Sequence, residues 1–192
     1  MGTSKINRRD EIIRIASHLF KEKGYHATTL QDIADELHVS KPALYYHIKS
    51  KEEVLSEIFN RGIIVAIEGL EAVLESDARP MEKFRRILLN HVRAVIDNIE
   101  TMAVSHHETA ALPRKTYRKF VDQVRRYQDL IKEVYREGVE AGEFRPMDPT
   151  LAVNAVLGMV NWLYRWYEPK GGQSPDEVAA ALVEIAERGI RK

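Results

Sequence analysis

The chain contains no cysteine, so disulfides and thiolate-held metal sites are excluded. It has no apolar run near the ~18 residues a membrane helix needs. Met1 to Asp10 is polar and lacks the apolar centre of a signal peptide. A cytoplasmic location is therefore expected, with no membrane partner. There is no excess of either charge, with 29 Lys and Arg against 29 Asp and Glu. Period-two alternation bounded by turn residues, the mark of strands, is missing. Also missing are a phosphate-cradling glycine loop, a nucleophile elbow and a paired-carboxylate motif. An enzyme is not expected, although a helical protein can hold an active site without any of these.

What remains reads as helix throughout. Ile12, Ala16, Leu19 and Phe20 share one face of a segment 8–23 that stops at Gly24. Thr28 and Thr29 are good N-caps, and Gln31 stands three residues after Thr28, as a capping box asks. Leu30, Ile33, Ala34 and Leu37 then form a stripe at helical spacing. After a two-residue break at His38-Val39, Ser40 caps a third short helix with Pro42 in its first turn. Ser50 and Glu53 open a long helix to about Glu75. Further helices are expected at 80–98, 113–141, 151–167 and 174–188, each introduced or closed by Pro, Gly or a cap, with 100–110 a short helix or a bent continuation. The predicted class is all-α with about nine helices.

Charge is unevenly placed. Residues 1–51 hold nine Lys or Arg, including Lys5, against six Asp or Glu, and 52–192 carry the opposite imbalance. A basic head on a mildly acidic body suits a polyanion partner. Three short helices in about 50 residues, the last two joined by a short turn, match helix-turn-helix architecture. In that arrangement Leu44 and Ile48 face inward. Ser40, Lys41, Pro42, Ala43, Tyr45, Tyr46 and His47 remain to face a duplex. Lys41 and His47 can donate to guanine or phosphate, while Ala43 and the Pro42 ring can contact a thymine methyl. The tyrosine hydroxyls can bond phosphate. Thr28, Thr29 and Lys51 stand at helix N-termini, which favour phosphate. Periodicity alone leaves an ordinary three-helix corner equally open.

The stretch TTLQDIADELHVSKPALYYHIKSKEEVL resembles the DNA-binding signature of the TetR family, named for the tetracycline repressor. The similarity spans about residues 10–56. The resemblance implies a recognition-helix tyrosine at Tyr45 and a phosphate-binding lysine at Lys51. It also implies domains at 1–51, for DNA, and 52–192, for ligand and dimerisation. The expected partner is a pseudo-palindromic double-stranded operator, bound by a homodimer whose recognition helices lie about one turn (~34–36 Å) apart.

The helix 151–167 is apolar around most of its surface, as is a stripe on the last helix. A dimer seam is expected there, with Leu157, Val160, Leu163, Val178, Leu182 and Ile185 as its candidates. The segments HETAAL, EGVEAGEFRP and NWLYRWYEPKGGQSPDEVAAALVEI resemble a subgroup responding to acyl-CoA thioesters. Such an effector needs an apolar tunnel and cations for its phosphates. Candidate contacts are Glu108, Arg118, Arg125, Trp162, Arg165 and Trp166, the cations drawn partly from the basic run between Arg114 and Arg126. Solvated helix faces are the simpler explanation of that run. His106, His107 and Glu108 with His91 suggest a metal, but adjacent helical residues point ~100° apart, so neither metal nor cofactor is expected. The function so implied is a ligand-released repressor. The rivals are an enzyme acting on the same small molecule and a DNA-binding adaptor without ligand.

Overall fold

The computed structural model describes residues 8–169 and 171–192. Lys5, counted in the basic head, and Lys170, in the Pro169–Gly172 break, lie outside the described residues. Among those residues there are ten α-helical segments. They are α1 (Arg8–Lys23), α2 (Leu30–Glu36), α3 (Lys41–Tyr45), α4 (Lys51–Leu74), α5 (Pro80–Asp97), α6 (Ile99–His107), α7 (Arg114–Glu140), α8 (Pro149–Asn161), α9 (Leu163–Trp166) and α10 (Pro175–Ile190). A 3-10 turn, Thr109–Ala111, separates α6 from α7. The helix expected over 151–167 begins at Pro149 and is interrupted at Trp162, whose φ of −65° and ψ of −11° remain helical. With α9 taken as its continuation, the expected count of nine holds. No helix among the described residues is long and apolar enough to cross a membrane.

The chain divides into two compact units, one of Met1–Gly62 and Glu100–Phe120, the other of Ile63–Ile99 and Val121–Lys192. The division falls inside α4 and α7, not at residue 51. The reason is hydrophobic packing. Val54, Leu55, Ile58 and Phe59 of α4 and Val104 and Leu112 join Ile12, Ala16, Phe20, Ile33, Leu44 and Ile48 in one buried cluster. Each of the larger of these side chains contributes roughly 1.5–3 kcal/mol by leaving water. Two edge-on ring pairs, Phe20–Tyr25 and Phe59–Phe120, complete it.

Local chemistry sets the breaks in the first unit. Gly24 ends α1 at φ +83°, a conformation that costs glycine nothing. The α2–α3 turn passes through His38 at φ +54°, with Val39 N–H donating to Ala34 O at 2.9 Å. The α2 cap lies one residue later than the sequence implies. The Thr29 hydroxyl accepts from Asp32 N–H, and Asp32 accepts from Thr29 N–H, closing the box. Thr28 cannot serve because its buried hydroxyl donates to Leu19 O and Gly24 O. Gln31 donates instead to Asp35.

In the second unit α5 packs against α8, α9 and α10. Phe84, Leu88, Val92, Val95, Val153, Val160, Leu163, Val178 and Val183 form much of its core. Glu187 of α10 is buried and receives two bonds from Arg85 of α5, at 2.6 and 2.8 Å. Two backbone bonds, Arg145 N–H to Ile190 O and Lys192 N–H to Glu143 O, tie the α7–α8 loop to the end of α10. Just beyond the end of α7 the chain turns through Gly142, where φ is +72°.

Candidate nucleic-acid interface and effector cavity

The exposed face of α3 carries the side chains the sequence places there. Ser40 caps the helix, accepting from Ala43 N–H at 3.3 Å, and Pro42 occupies its first turn. Leu44 and Ile48 are both 1 % exposed and anchor the segment in the core. Lys41, Pro42, Ala43, Tyr45 and Tyr46 face solvent, and His47 is half-buried. Tyr46 is 87 % exposed, and its ring meets His47 edge-on. A large aromatic left this open gains little from folding and is available to a partner.

The end of α3 is held from behind. Arg9 donates to His47 O at 2.9 Å and to the carboxylates of Glu53 and Glu57. These bonds raise the Arg9 pKa further above its ordinary value. Arg61 extends the network to Glu57 and Asp10. At the start of α4, Glu53 N–H donates to the Ser50 hydroxyl, while the Glu53 carboxylate takes Lys49 N–H rather than completing a box on Ser50. Lys49 is exposed in the α3–α4 loop. It is a further exposed cation beside α3, outside the helix itself, so helical spacing does not mark it.

Two expected contacts have other work. Thr28 is fully buried, so it cannot reach phosphate. The Lys51 ammonium donates to Tyr25 O and Thr28 O, both at 2.7 Å, and to His26 O at 3.3 Å. It also lies 4.3 Å from the Tyr25 ring centre. All its protons are directed at the α1–α2 loop. Lys51 is a clamp on that loop, in place of the free phosphate ligand implied by the resemblance.

Glu108, expected at a ligand, accepts from Tyr25 N–H at 3.1 Å. The Tyr25 residue is thus gripped at its N–H by Glu108 and at its carbonyl by Lys51. Burial and the charges of Glu52 and Glu108 push the Tyr25 hydroxyl up to about 12. Asp32 is held down to about 2, chiefly by the bond from the Thr29 hydroxyl, then by Thr29 N–H and Lys23.

The second unit holds a cavity of about 280 Å³ among α4, α5 and α7. Val65, Ala66, Leu70 and Ile87 make its apolar wall, and Asn90, His91, Arg93, Asp97, Asn98 and Tyr127 supply polar groups. None of the six expected ligand residues lines it. Arg118, Arg125 and Arg165 are exposed on helix surfaces. Trp162 and Trp166 are 56 % and 48 % exposed. Helical spacing marks these residues as long or aromatic, not as facing a space formed by distant segments.

His91 is the centre of the cavity's polar wall. It bonds Asn161 of α8 through Nε2 at 2.9 Å and the Tyr127 hydroxyl through Nδ1 at 3.1 Å, with the Tyr127 ring stacked against it. Burial lowers the His91 pKa, and the Asn161 bond opposes it. Burial likewise raises that of Tyr127. A neutral imidazole and a protonated phenol result. His91 was of interest in the sequence only as a metal ligand. Its cavity position has a faint signal there, a polar ring in the buried α5 stripe between Leu88 and Val92.

Five of the six residues expected at a dimer seam are turned inward. Leu157, Val160, Leu163, Val178 and Leu182 are each at most 8 % exposed within one chain, against 58 % for Ile185. Two-sided apolarity reveals burial without showing which side a second copy would cover. Between Pro149 and Ile190 the large apolar residues that face outward, among the described residues, are Leu151, Trp162, Trp166 and Ile185.

Comparison with known proteins agrees with this arrangement at both ends of the chain. Residues 12–58 match the family profile of bacterial regulatory proteins of the tetR family, and residues 77–190 match the tetracyclin repressor-like C-terminal domain. The transcriptional repressor KstR2 of Mycobacterium tuberculosis is 27 % identical over 190 residues, covering 97 % of this chain and 94 % of that protein. Its ketosteroid-regulator structure superposes with a TM-score of 0.90 at 26 % identity, covering 100 % and 98 % of the two chains. PfmR from Thermus thermophilus is 36 % identical, with coverages of 94 % and 99 % and a TM-score of 0.85. AibR, solved with isovaleryl coenzyme A and operator DNA, is 30 % identical, with coverages of 93 % and 97 % and a TM-score of 0.80. The chain belongs to the tetracycline-repressor family of transcriptional regulators.

Proposed function

We propose that this protein is a cytoplasmic homodimeric repressor whose α3 faces read a pseudo-palindromic operator and whose cavity takes an acyl-CoA-type effector that releases the DNA. The observation that carries the reading is the α3 face. A five-residue helix is locked from behind by Leu44, Ile48 and Arg9 while Lys41, Tyr45 and Tyr46 stand in solvent. Lys41 and Ala43 are suited to base edges, and Tyr45, Tyr46, Thr29 and Lys49 to the backbone.

Two features support the effector and the dimer. The cavity joins an apolar wall to a polar one at a size that admits a short acyl group. AibR, similar along nearly its whole length, was solved with an acyl-CoA and operator DNA together. A second copy covering Leu151, Trp162, Trp166 and Ile185 would remove the largest exposed apolar side chains of α8, α9 and α10 from water. An effector acts only through its differential affinity for the two DNA-binding states.

A gel shift on DNA from beside the protein's own gene tests this. A complex resistant to competitor DNA and dissolved by micromolar acyl-CoA, but not by free coenzyme A, is expected. A complex indifferent to a panel of acyl-CoAs removes the effector assignment. Absence of any sequence-specific complex removes the repressor reading itself.

A further inference from the structure

Resting on the DNA-binding reading above, we propose that the first two turns of α7 form a second DNA-backbone contact outside the helix-turn-helix. Arg114 and Lys115 would meet phosphates of the duplex that α3 reads, with Arg118 and Lys119 adding positive charge behind them. All four are exposed, and none forms an ion pair among the described residues. Farther along α7 the pattern changes, since Arg125 faces Asp122 and Arg126 pairs with Glu71. Of the α7 cations without an ion pair among the described residues, only Arg136 lies outside the end that belongs to the first unit.

Register places that end near the duplex. Ser56 of α4 bonds Thr116 of α7, and the Phe59 ring packs on Phe120. Advancing three residues along α4 and four along α7 keeps the two helices in contact, so they run in the same direction here. Their N-termini therefore point the same way, and Arg114 stands level with about residue 54. At 1.5 Å of rise per residue that is ~4.5 Å along the helix axis from the level of Lys51, the first residue of α4. An independent contact agrees, because Glu108 just ahead of α7 and Lys51 grip the same residue, Tyr25. Arg114 and Lys115 can thus reach phosphates beside the α3–α4 loop, while Arg118 and Lys119, about two turns (~11 Å) along the axis from the level of Lys51, add a weaker attraction that salt screens.

The acids of this region do not cancel the patch. Glu108 is held by Tyr25 N–H, Glu100 by His18, and Glu53 and Glu57 by Arg9. Glu52 is the exposed exception. The first turn of α7 contains no acidic residue and two cations, the reverse of what a helix dipole favours. An arrangement unfavourable in the free protein becomes favourable against a polyanion.

The test compares full-length wild type with the Arg114→Gln/Lys115→Gln/Arg118→Gln/Lys119→Gln variant by fluorescence anisotropy. Operator and scrambled duplexes are used across a salt series. Arg114→Lys/Lys115→Arg retains the charge, and Arg188→Gln on α10 shows the effect of losing a cation elsewhere on the chain. Thermal melting checks that the variant is folded. Each lost phosphate contact lowers the slope of log K against log [salt] by about 0.9. Two contacts per protomer thus predict a slope smaller by about 2–4 for the dimer. At 150 mM salt the expected loss is tenfold or more on both duplexes, with the operator-to-scrambled ratio unchanged, since phosphate contacts carry no sequence information. The charge-retaining swap should restore binding. Wild-type slope and affinity in the folded quadruple variant overturn the proposal. So does an unchanged slope with a shifted acyl-CoA concentration for release, which would assign the patch to the effector's phosphates. Failure of wild type to prefer any operator is distinguishable, because it overturns the repressor reading beneath the proposal as well.

Discussion

Replacing Lys51 with alanine separates two roles that the sequence cannot distinguish. The ammonium makes two short bonds to the carbonyls of Tyr25 and Thr28, a weaker one to His26, and a contact with the Tyr25 ring. Hydrogen bonds to a charged group contribute about 1.5–3 kcal/mol each, and an exposed cation–π contact about 0.5–1 kcal/mol. The sum overstates the cost, because Lys51 is only half-buried and water can replace part of what it supplies. A loss of about 2–4 kcal/mol is expected. For a chain of this size each kilocalorie lowers the melting temperature by about 2–4 °C, so a drop of roughly 4–16 °C should appear in a thermal melt. DNA affinity should fall too, because the α1–α2 loop carries the cap of α2. The salt slope should change little, since the donors of the Lys51 ammonium are committed to carbonyls and are not set against a phosphate. A lysine whose only task is to bind phosphate gives the opposite pair of results. The melt would be unchanged, and the slope would drop by about 0.9 per protomer. That outcome would refute the clamp.

Other substitutions probe other parts of the molecule. A Cβ added at Gly138 of α7 would lie 2.2 Å from the Phe144 ring, so Gly138→Ala should cost about 1–3 kcal/mol by overpacking. That outweighs the ~1 kcal/mol of helix propensity alanine offers, and a melt no lower than wild type would contradict it. Asp32 is held from its ordinary 3.8 down to about 2 by its capping partner. Its stabilisation of the first unit is therefore complete above pH 4 and lost as the pH falls toward 2. Asp32→Ala should flatten the acid unfolding curve in that window, and an equally steep curve would remove the cap from the explanation. Trp162→Glu with Trp166→Glu should shift the protein from dimer to monomer in sedimentation while leaving its helicity intact. A dimer of wild-type strength would place the seam elsewhere.

The helices were legible because their signals are local. Caps, prolines and apolar spacing fixed α1 to α5, α7 and α10 within a few residues, and the inward pair Leu44 and Ile48 fixed which side of α3 is exposed. The α2 cap slipped by one residue because Thr28 and Thr29 are interchangeable until the protein core takes one of them. The C-terminal sites were not legible for a different reason. The cavity draws on Val65, His91 and Tyr127, which are far apart in the chain and share no motif. Leu157, Val160 and Leu163 announce burial, but a hydrophobic stripe is silent on whether its partner is α5 of the same chain or a second copy. Lys51 shows the same limit at an atomic scale, since its type and position suit phosphate while its bonds go to three carbonyls.

The central claim, that the solvent face of α3 reads a duplex, is tested most directly by comparing operator and scrambled DNA binding for wild type and Lys41→Ala/Tyr45→Ala. Both side chains are exposed and make no structural bonds among the described residues, so the variant should melt like wild type. Its preference for operator over scrambled DNA should collapse by tenfold or more, since losing the Lys41 base contact in each of the two half-sites is worth ~1–3 kcal/mol of discrimination, while loss of Tyr45 weakens binding to both duplexes alike. An undiminished preference in the folded variant would contradict the account.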